Sequence, residues 1–181
     1  MTQDLWVFAY GSLIWDPGFA PVERLPATVT GWHRSFCMTS VHYRGTPQAP
    51  GLVLALDAAQ AAQCRGLALR VAPGQTDTVR AYLRDRELVS SAYEERLLPA
   101  ALADGRQVSA LAYVINRDHG QYCRHDADTQ AAIIARAHGL RGPNRDYLFQ
   151  TASHLADLGI PDPELSDLVA RVRNLTGADP A

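Results

Sequence analysis

The feature that most constrains the fold is a change of hydrophobic period along the chain, with two-residue alternation and short apolar runs first and helical stripes last. Alternation at every second residue paints one face of a strand, whereas a repeat of about 3.6 residues paints one face of a helix. Strand patterns occupy Leu5 to Tyr10, Ala27 to Trp32 leading into Ser35 to Met38, Gly51 to Leu56, and Gly66 to Val71. Two more, Tyr93 to Ala101 and Val108 to Ile115, flank Asp104-Gly105, a strong short hairpin signal. A single helix interrupts the strands. Pro73-Gly74 breaks the chain, Thr76 stands at the N-cap with Asp77 in the first turn, and Val79, Tyr82 and Leu83 form a stripe that ends near Arg86-Glu87.

The last third is helical. Asp126 to His138 is stopped by Gly139, with His138 complementing the helix C-terminal dipole, and Asn144 caps a helix with apolar positions Tyr147, Leu148, Thr151, Leu155 and Leu158. Asp162-Pro163 opens a further helix, which carries Leu165, Leu168, Val169, Val172 and Leu175 on one face. Strands followed by helices predict an α+β fold: a largely antiparallel sheet or barrel with helices packed against it. The Gly- and Pro-dense segment His42 to Gly51 is expected to be a long connection. At 181 residues the chain fits one domain over 1–176, followed by a short frayed tail at 177–181.

Charge narrows the partners. The chain carries 17 basic and 19 acidic side chains without a Lys/Arg cluster, which argues against nucleic acid or an anionic membrane surface and for a small-molecule ligand. No apolar stretch reaches membrane-spanning length, and no signal-like start precedes the first apolar run. Cys37, Cys64 and Cys123 are odd in number and widely spaced, so a reducing cytoplasm is the expected location. The oligomeric state is open, and a monomer is compatible with everything above.

Few segments carry chemistry. In Leu5 to Trp15 an apolar strand is broken by Gly11-Ser12 and resumes with Leu13, Ile14 and Trp15, an arrangement in which backbone N–H groups can converge on a carboxylate or an oxyanion. Composition alone favours an ordinary turn there. Ser12 lacks the flanking glycines of a nucleophile elbow. Glu87 sits near a helix C-terminus, where the dipole disfavours a carboxylate unless Arg84 or Arg86 compensates; a solvated surface carboxylate fits the same pattern. His119, Cys123 and His125 lack a second ligand pair for zinc, and no nucleotide fingerprint occurs. Tyr147, on the first turn after Asn144, is either an ordinary core tyrosine or a wall of a pocket.

Together these segments resemble the ChaC-type γ-glutamylcyclotransferases. The resemblance rests, in chain order, on Tyr10-Gly11-Ser12-Leu13-Ile14-Trp15, Arg44-Gly45-Thr46-Pro47 with Pro50-Gly51, Arg86-Glu87, and Gly142-Pro143-Asn144 with Tyr147-Leu148. Each motif is weak alone; the first followed at suitable distance by the Arg-Glu pair is specific. The resemblance implies a compact mixed α+β barrel and conversion of glutathione to 5-oxoproline and cysteinylglycine, with no cofactor and no metal. It makes Tyr10, Gly11, Ser12, Leu13, Ile14 and Trp15 the γ-glutamyl holder, Glu87 the acid/base and Tyr147 a further substrate contact. Other γ-glutamyl peptides or amines, or a non-catalytic metabolite sensor, are the alternatives. Animal members have a glycine-rich turn after the glutamate, where this chain has Leu88-Val89-Ser90-Ser91-Ala92. That departure bears on peptide selectivity more than on the chemistry.

Overall fold

The computed structural model describes residues 4–177. The strands and helices run in the order β1 (Trp6–Ala9), a 3-10 turn (Ser12–Ile14), β2 (Glu23–Ser40), β3 (Gly51–Arg70), α1 (Thr76–Glu87), β4 (Tyr93–Leu102) and β5 (Gln107–Ile115). They continue with α2 (Ala127–Arg136), the short strands β6 (His138–Gly139) and β7 (Gly142–Pro143), α3 (Asn144–Asp157) and α4 (Pro163–Thr176). The fold is α+β, with strands mainly before helices, as the change of period predicts. The expected tail at 177–181 lies outside the described residues apart from Gly177.

Five strands close into a barrel in the order β1-β3-β2-β4-β5, with β3 also pairing β5. Most pairings are antiparallel: Trp6 to Ala9 run against Arg70 to Leu67, Ala27 to Val29 against Leu102 to Ala100, and Tyr93 to Ala101 against Ile115 to Gln107. The last is the hairpin signalled by Asp104-Gly105. Closure is completed by the parallel pairs Trp6↔Ala110, Val7↔Leu111 and Leu56↔Val114.

The chain divides into two compact units, one built from the chain up to Ser35 with Ala55–Gly120, the other from Phe36–Leu54 with the chain from Gln121 onward. In the first, Val7, Phe8, Leu69, Leu83 and Leu111 are buried to within 1% exposure and form its core. In the second, α2, α3 and α4 pack on one another and bury Ile134, Leu148, Leu155 and Val172.

Several local expectations are corrected. Gly51 to Leu56 and Gly66 to Val71 are the two ends of one strand, because the exposed Ala- and Gln-rich middle of β3 is carried by backbone pairing rather than by an apolar face. The same holds for β2, which joins both predicted segments. Thr76 is the first helical residue; Gln75 takes the cap position with no side-chain bond. The helix after Asp126 stops at Arg136, and His138 pairs with Pro143 in a two-residue ladder instead of facing a helix end. Asn144 does not cap α3 either, since Pro143 holds that position and the Asn144 amide is engaged elsewhere. Leu158 and Leu175, placed on apolar faces by spacing, end 36% and 60% exposed at the C-terminal ends of their helices. Asp162-Pro163 opens α4 as predicted, and Asp162 caps it by accepting from the Leu165 N–H at 3.0 Å. Among the described residues, no helix is long and apolar enough to cross a membrane.

Candidate active site

Strand β1 is buried along its whole length, so the chain reaches Tyr10 in a fixed position. The Tyr10 hydroxyl donates to the Tyr113 carbonyl at 2.7 Å, and the Tyr10 carbonyl accepts from Nε of the buried Arg34, also at 2.7 Å. Gly11 then leads into one 3-10 turn, in which the Ile14 N–H donates to Gly11 O at 2.9 Å and the Asp16 N–H to Ser12 O at 2.9 Å. Buried Leu13 and Ile14 side chains anchor the turn, and Arg24 donates to the Ile14 carbonyl at 2.9 Å. The N–H groups of Ser12 and Leu13 precede Ile14, the first donor inside the turn, so closing the turn does not consume them.

Arg86, in the last turn of α1, reaches this loop. Its Nη1 donates to the Asp16 carbonyl at 2.6 Å and to the Tyr82 hydroxyl at 3.2 Å, and its Nη2 donates to Ser12 Oγ at 3.2 Å. Its Nε lies 3.2 Å from Oε1 of Glu87, and the two side chains are only 11% and 16% exposed. Burial works against the Arg86 charge, but the Tyr82 hydroxyl and the charges of Glu87 and Asp16 outweigh it and hold its pKa above the ordinary arginine value. Gly18 permits the approach of α1: a Cβ there would lie 2.0 Å from the Tyr82 hydroxyl.

Of the two arginines that could compensate Glu87 at the negative end of the helix dipole, the structure selects Arg86. Arg84 turns to Glu95 on β4, with Nε to Oε2 at 2.9 Å and Nη2 to Oε1 at 2.9 Å, and Arg80 joins it with Nε to Oε1 at 3.0 Å. Burial pushes the Glu95 carboxyl up, but the hydrogen bonds from Arg84 and Arg80 dominate and hold it below the ordinary glutamate value. The Tyr113 hydroxyl donates to Glu95 Oε2 at 3.4 Å. Its own pKa is pushed up, first by burial and then by the charges of Glu95 and Glu87.

Sequence reasoning did not single out Arg34, Glu95 or Tyr113. Two signals for the last pair were present: Arg80 and Arg84 share a helix face, and the hairpin register sets Glu95 directly opposite Tyr113. Arg34 had none, because a lone arginine in a strand pattern reads as a solvated side chain.

The second unit collects the remaining motifs. Asn144, fully buried, accepts from the Leu52 N–H at 2.7 Å and donates to the Leu52 carbonyl at 2.8 Å. Nη1 of Arg44 donates to the carbonyls of Arg141 at 2.8 Å and Pro143 at 3.2 Å. Arg44 also lies over the Tyr147 ring, 5.7 Å from its centroid. Gly51 is packed so closely that a Cβ would lie 2.1 Å from the Arg44 carbonyl oxygen and 2.7 Å from Asn144 Oδ1. The Tyr147 ring meets Phe36 edge-on and its hydroxyl accepts from the Leu54 N–H at 3.3 Å. His119, Cys123 and His125 do not gather; among the described residues, no group of three or more His, Cys, Asp or Glu side chains is arranged to hold a metal ion.

A profile of the family described as ChaC-like protein matches residues 5–175. The chain belongs to the ChaC-like protein family. This ChaC-like chain is 34% identical over 175 residues to the glutathione-specific gamma-glutamylcyclotransferase of Escherichia coli (strain K12), covering 94% of this chain and 74% of that protein. It is also 34% identical over 182 residues to the Schizosaccharomyces pombe protein of the same name, covering 91% and 87% of the two chains. A crystal structure of a yeast gamma-glutamyl cyclotransferase specific to glutathione superposes with a TM-score of 0.87 at 24% identity, over 96% of this chain and 97% of that one. That likeness establishes the fold. Within the ChaC-like chain, Tyr10 to Trp15 and Arg86-Glu87 fall together in the first unit. Arg44 to Pro47, Pro50-Gly51 and Gly142 to Asn144 fall together in the second.

Proposed function

We propose that this chain is a γ-glutamylcyclotransferase that converts glutathione to 5-oxoproline and cysteinylglycine without a cofactor, with Glu87 as general base and acid. The observation that carries the proposal is the Glu87 carboxylate, largely buried at the end of α1 and joined through Arg86 to the loop at Ser12. The α-amine of the γ-glutamyl group attacks its own γ-carbonyl, closes a five-membered lactam and expels the amine of the next residue. An α-amino group with a pKa near about 8 is largely protonated at neutral pH, so a base must take a proton before attack and return one to the leaving nitrogen. Glu87 serves both steps. Folding the flexible γ-glutamyl chain into a near-attack geometry contributes as well, and positioning of this kind is worth up to about 7–11 kcal/mol.

The loop Tyr10, Gly11, Ser12, Leu13, Ile14 and Trp15 is proposed to supply that positioning, with the Ser12 and Leu13 N–H groups directed at the α-carboxylate or the developing oxyanion. Ser12 is part of the wall and not a nucleophile. Tyr147 is proposed as a further substrate contact on the sequence resemblance; Tyr147→Phe with a raised KM and an unchanged melting temperature supports it, and loss of stability alone makes the residue structural. We treat residues 1–176 as one functional domain acting on a small molecule in a reducing cytoplasm, in keeping with the family match and the three widely spaced cysteines.

The test is incubation of the purified protein with glutathione and detection of 5-oxoproline by mass spectrometry. Binding of glutathione without product over hours would replace the enzyme with a sensor. The turn Leu88 to Ala92 supports a second reading in which the preferred substrate is another γ-glutamyl peptide or amine, because it follows Glu87 directly and carries no glycine. A substrate panel separates the two.

A further inference from the structure

We propose that Arg86 is a positioning residue: its guanidinium holds the Glu87 carboxylate and the Ser12 hydroxyl in one frame, so that the proton-transfer group and the substrate-holding loop keep a fixed separation. The inference rests on the cyclotransferase reading above and adds a residue to it. Arg86 is unusual in this molecule for the variety of what one side chain grips. Three nitrogens meet a carboxylate, two hydroxyls and a backbone carbonyl, on its own helix and on a loop 70 or more residues before it in sequence. Arg80 and Arg84 instead end on Glu95, and Arg24 ends on a carbonyl.

A planar guanidinium has the geometry for this task, because its donors point outward in fixed directions and can bind several acceptors at once. A lysine ammonium at the same place keeps the charge but spans a shorter reach. Charged and titratable groups in the neighbourhood of the Arg86–Glu87 pair include Tyr113 on β5, which feels the Glu87 charge, Glu95 opposite it on β4 under Arg80 and Arg84, and Tyr82 on α1 and Asp16 on the loop, both against Arg86. Arg86 supplies a cation in direct contact with the carboxylate. It therefore sets a distance and a charge together.

The test is steady-state release of 5-oxoproline from glutathione across pH by the full chain, its Arg86→Lys, Arg86→Gln and Ser12→Ala variants, and the Arg86→Lys/Ser12→Ala double variant. Arg86→Lys is expected to lower kcat by about tenfold through lost positioning while leaving the acidic limb of kcat/KM in place. Arg86→Gln is expected in addition to move that limb up by about one pH unit, since removing a neighbouring cation favours the protonated carboxyl. In the Arg86→Lys background, Ser12→Ala should cost clearly less than it costs alone, because the two side chains act through one contact. Wild-type kcat in Arg86→Lys, an unmoved acidic limb in Arg86→Gln, or independent multiplication of the two single effects overturns the proposal. Should Arg86→Gln fail to fold, Arg86→Lys and the double-variant cycle decide it. A wild type that makes no 5-oxoproline removes the proposed function and this inference together; an active wild type with indifferent variants removes the inference alone.

Discussion

Arg86 in the first unit and Arg44 in the second are both partly buried arginines that tie together segments far apart in sequence, yet they leave different surroundings. Arg44 gives its Nη1 to the carbonyls of Arg141 and Pro143, next to an asparagine whose amide is spent on Leu52. Burial lowers the Arg44 pKa, with the Tyr147 and Asp146 charges opposing it. Arg86 gives one bond to the Asp16 carbonyl, but it also ends on a carboxylate and on two hydroxyls, and its pKa is raised. Donors spent on backbone carbonyls lock a chain path, because a carbonyl cannot ionise and has no second state. Donors shared with a carboxylate and a serine hydroxyl hold groups that can exchange protons and meet a ligand. On the proposed function, the first cluster of family motifs carries the proton transfer, and the second holds chain paths, with Tyr147 as its one proposed substrate contact.

The largest expected effect lies in the first cluster. Glu87→Gln keeps the shape and loses the basicity, and should lower 5-oxoproline release by about a thousandfold or more at an unchanged melting temperature. Near-normal turnover would sink the assignment of Glu87. The converse belongs to the second cluster: Asn144→Ala leaves the Leu52 N–H and carbonyl without their buried partners and should cost about 3 kcal/mol in urea unfolding, while the folded fraction keeps its kcat. A large kcat loss at full stability would erase the distinction between the clusters.

Glu95 tests the boundary. Its folded pKa lies below the unfolded value, so the ionised carboxylate contributes stability above the unfolded pKa, and that stability is lost as pH falls through the folded one. Glu95→Gln should therefore lower stability near neutrality by about 1–2 kcal/mol and flatten its decline in acid, a modest figure because Arg84 is half exposed. Urea unfolding at a series of pH values reads both effects; an acid limb as steep as the wild type's would contradict the linkage. The smallest effect concerns the turn after Glu87. Ser91 adopts a left-handed conformation with φ of 58°, where a side chain is strained. Ser91→Gly is expected to raise stability by about 0.5 kcal/mol, detectable as a small rise in melting temperature.

Much of this was legible in the residues. The hairpin around Asp104-Gly105, the extent of α1 to Glu87 and the Asp162 cap all follow from local rules that act within a few residues. The Arg86-Glu87 pair and the Tyr10 to Trp15 run mark the candidate site through their resemblance to the ChaC-type family, because residue chemistry alone fits a turn and a surface carboxylate equally. Asn144 was misjudged for an equally physical reason. An asparagine before a helix caps it by default, and only the approach of Leu52, 92 residues away in sequence, offers its amide two better partners. The middle of β3 escaped detection because backbone pairing leaves no trace in side-chain hydrophobicity.

By itself the sequence determined the class of fold, the order of its elements and the two addresses of the candidate chemistry, since periodicity, turn residues and motif identity are local properties. The tertiary structure alone decided which charges meet. Arg80, Arg84 and Arg86 occupy neighbouring turns of one helix and are chemically equivalent, but the fold gives Glu95 to the first two and the loop at Ser12 and Asp16 to the third, which keeps its chain neighbour Glu87. Coulombic and hydrogen-bond partners are set by distances across the fold, which no spacing along the chain encodes.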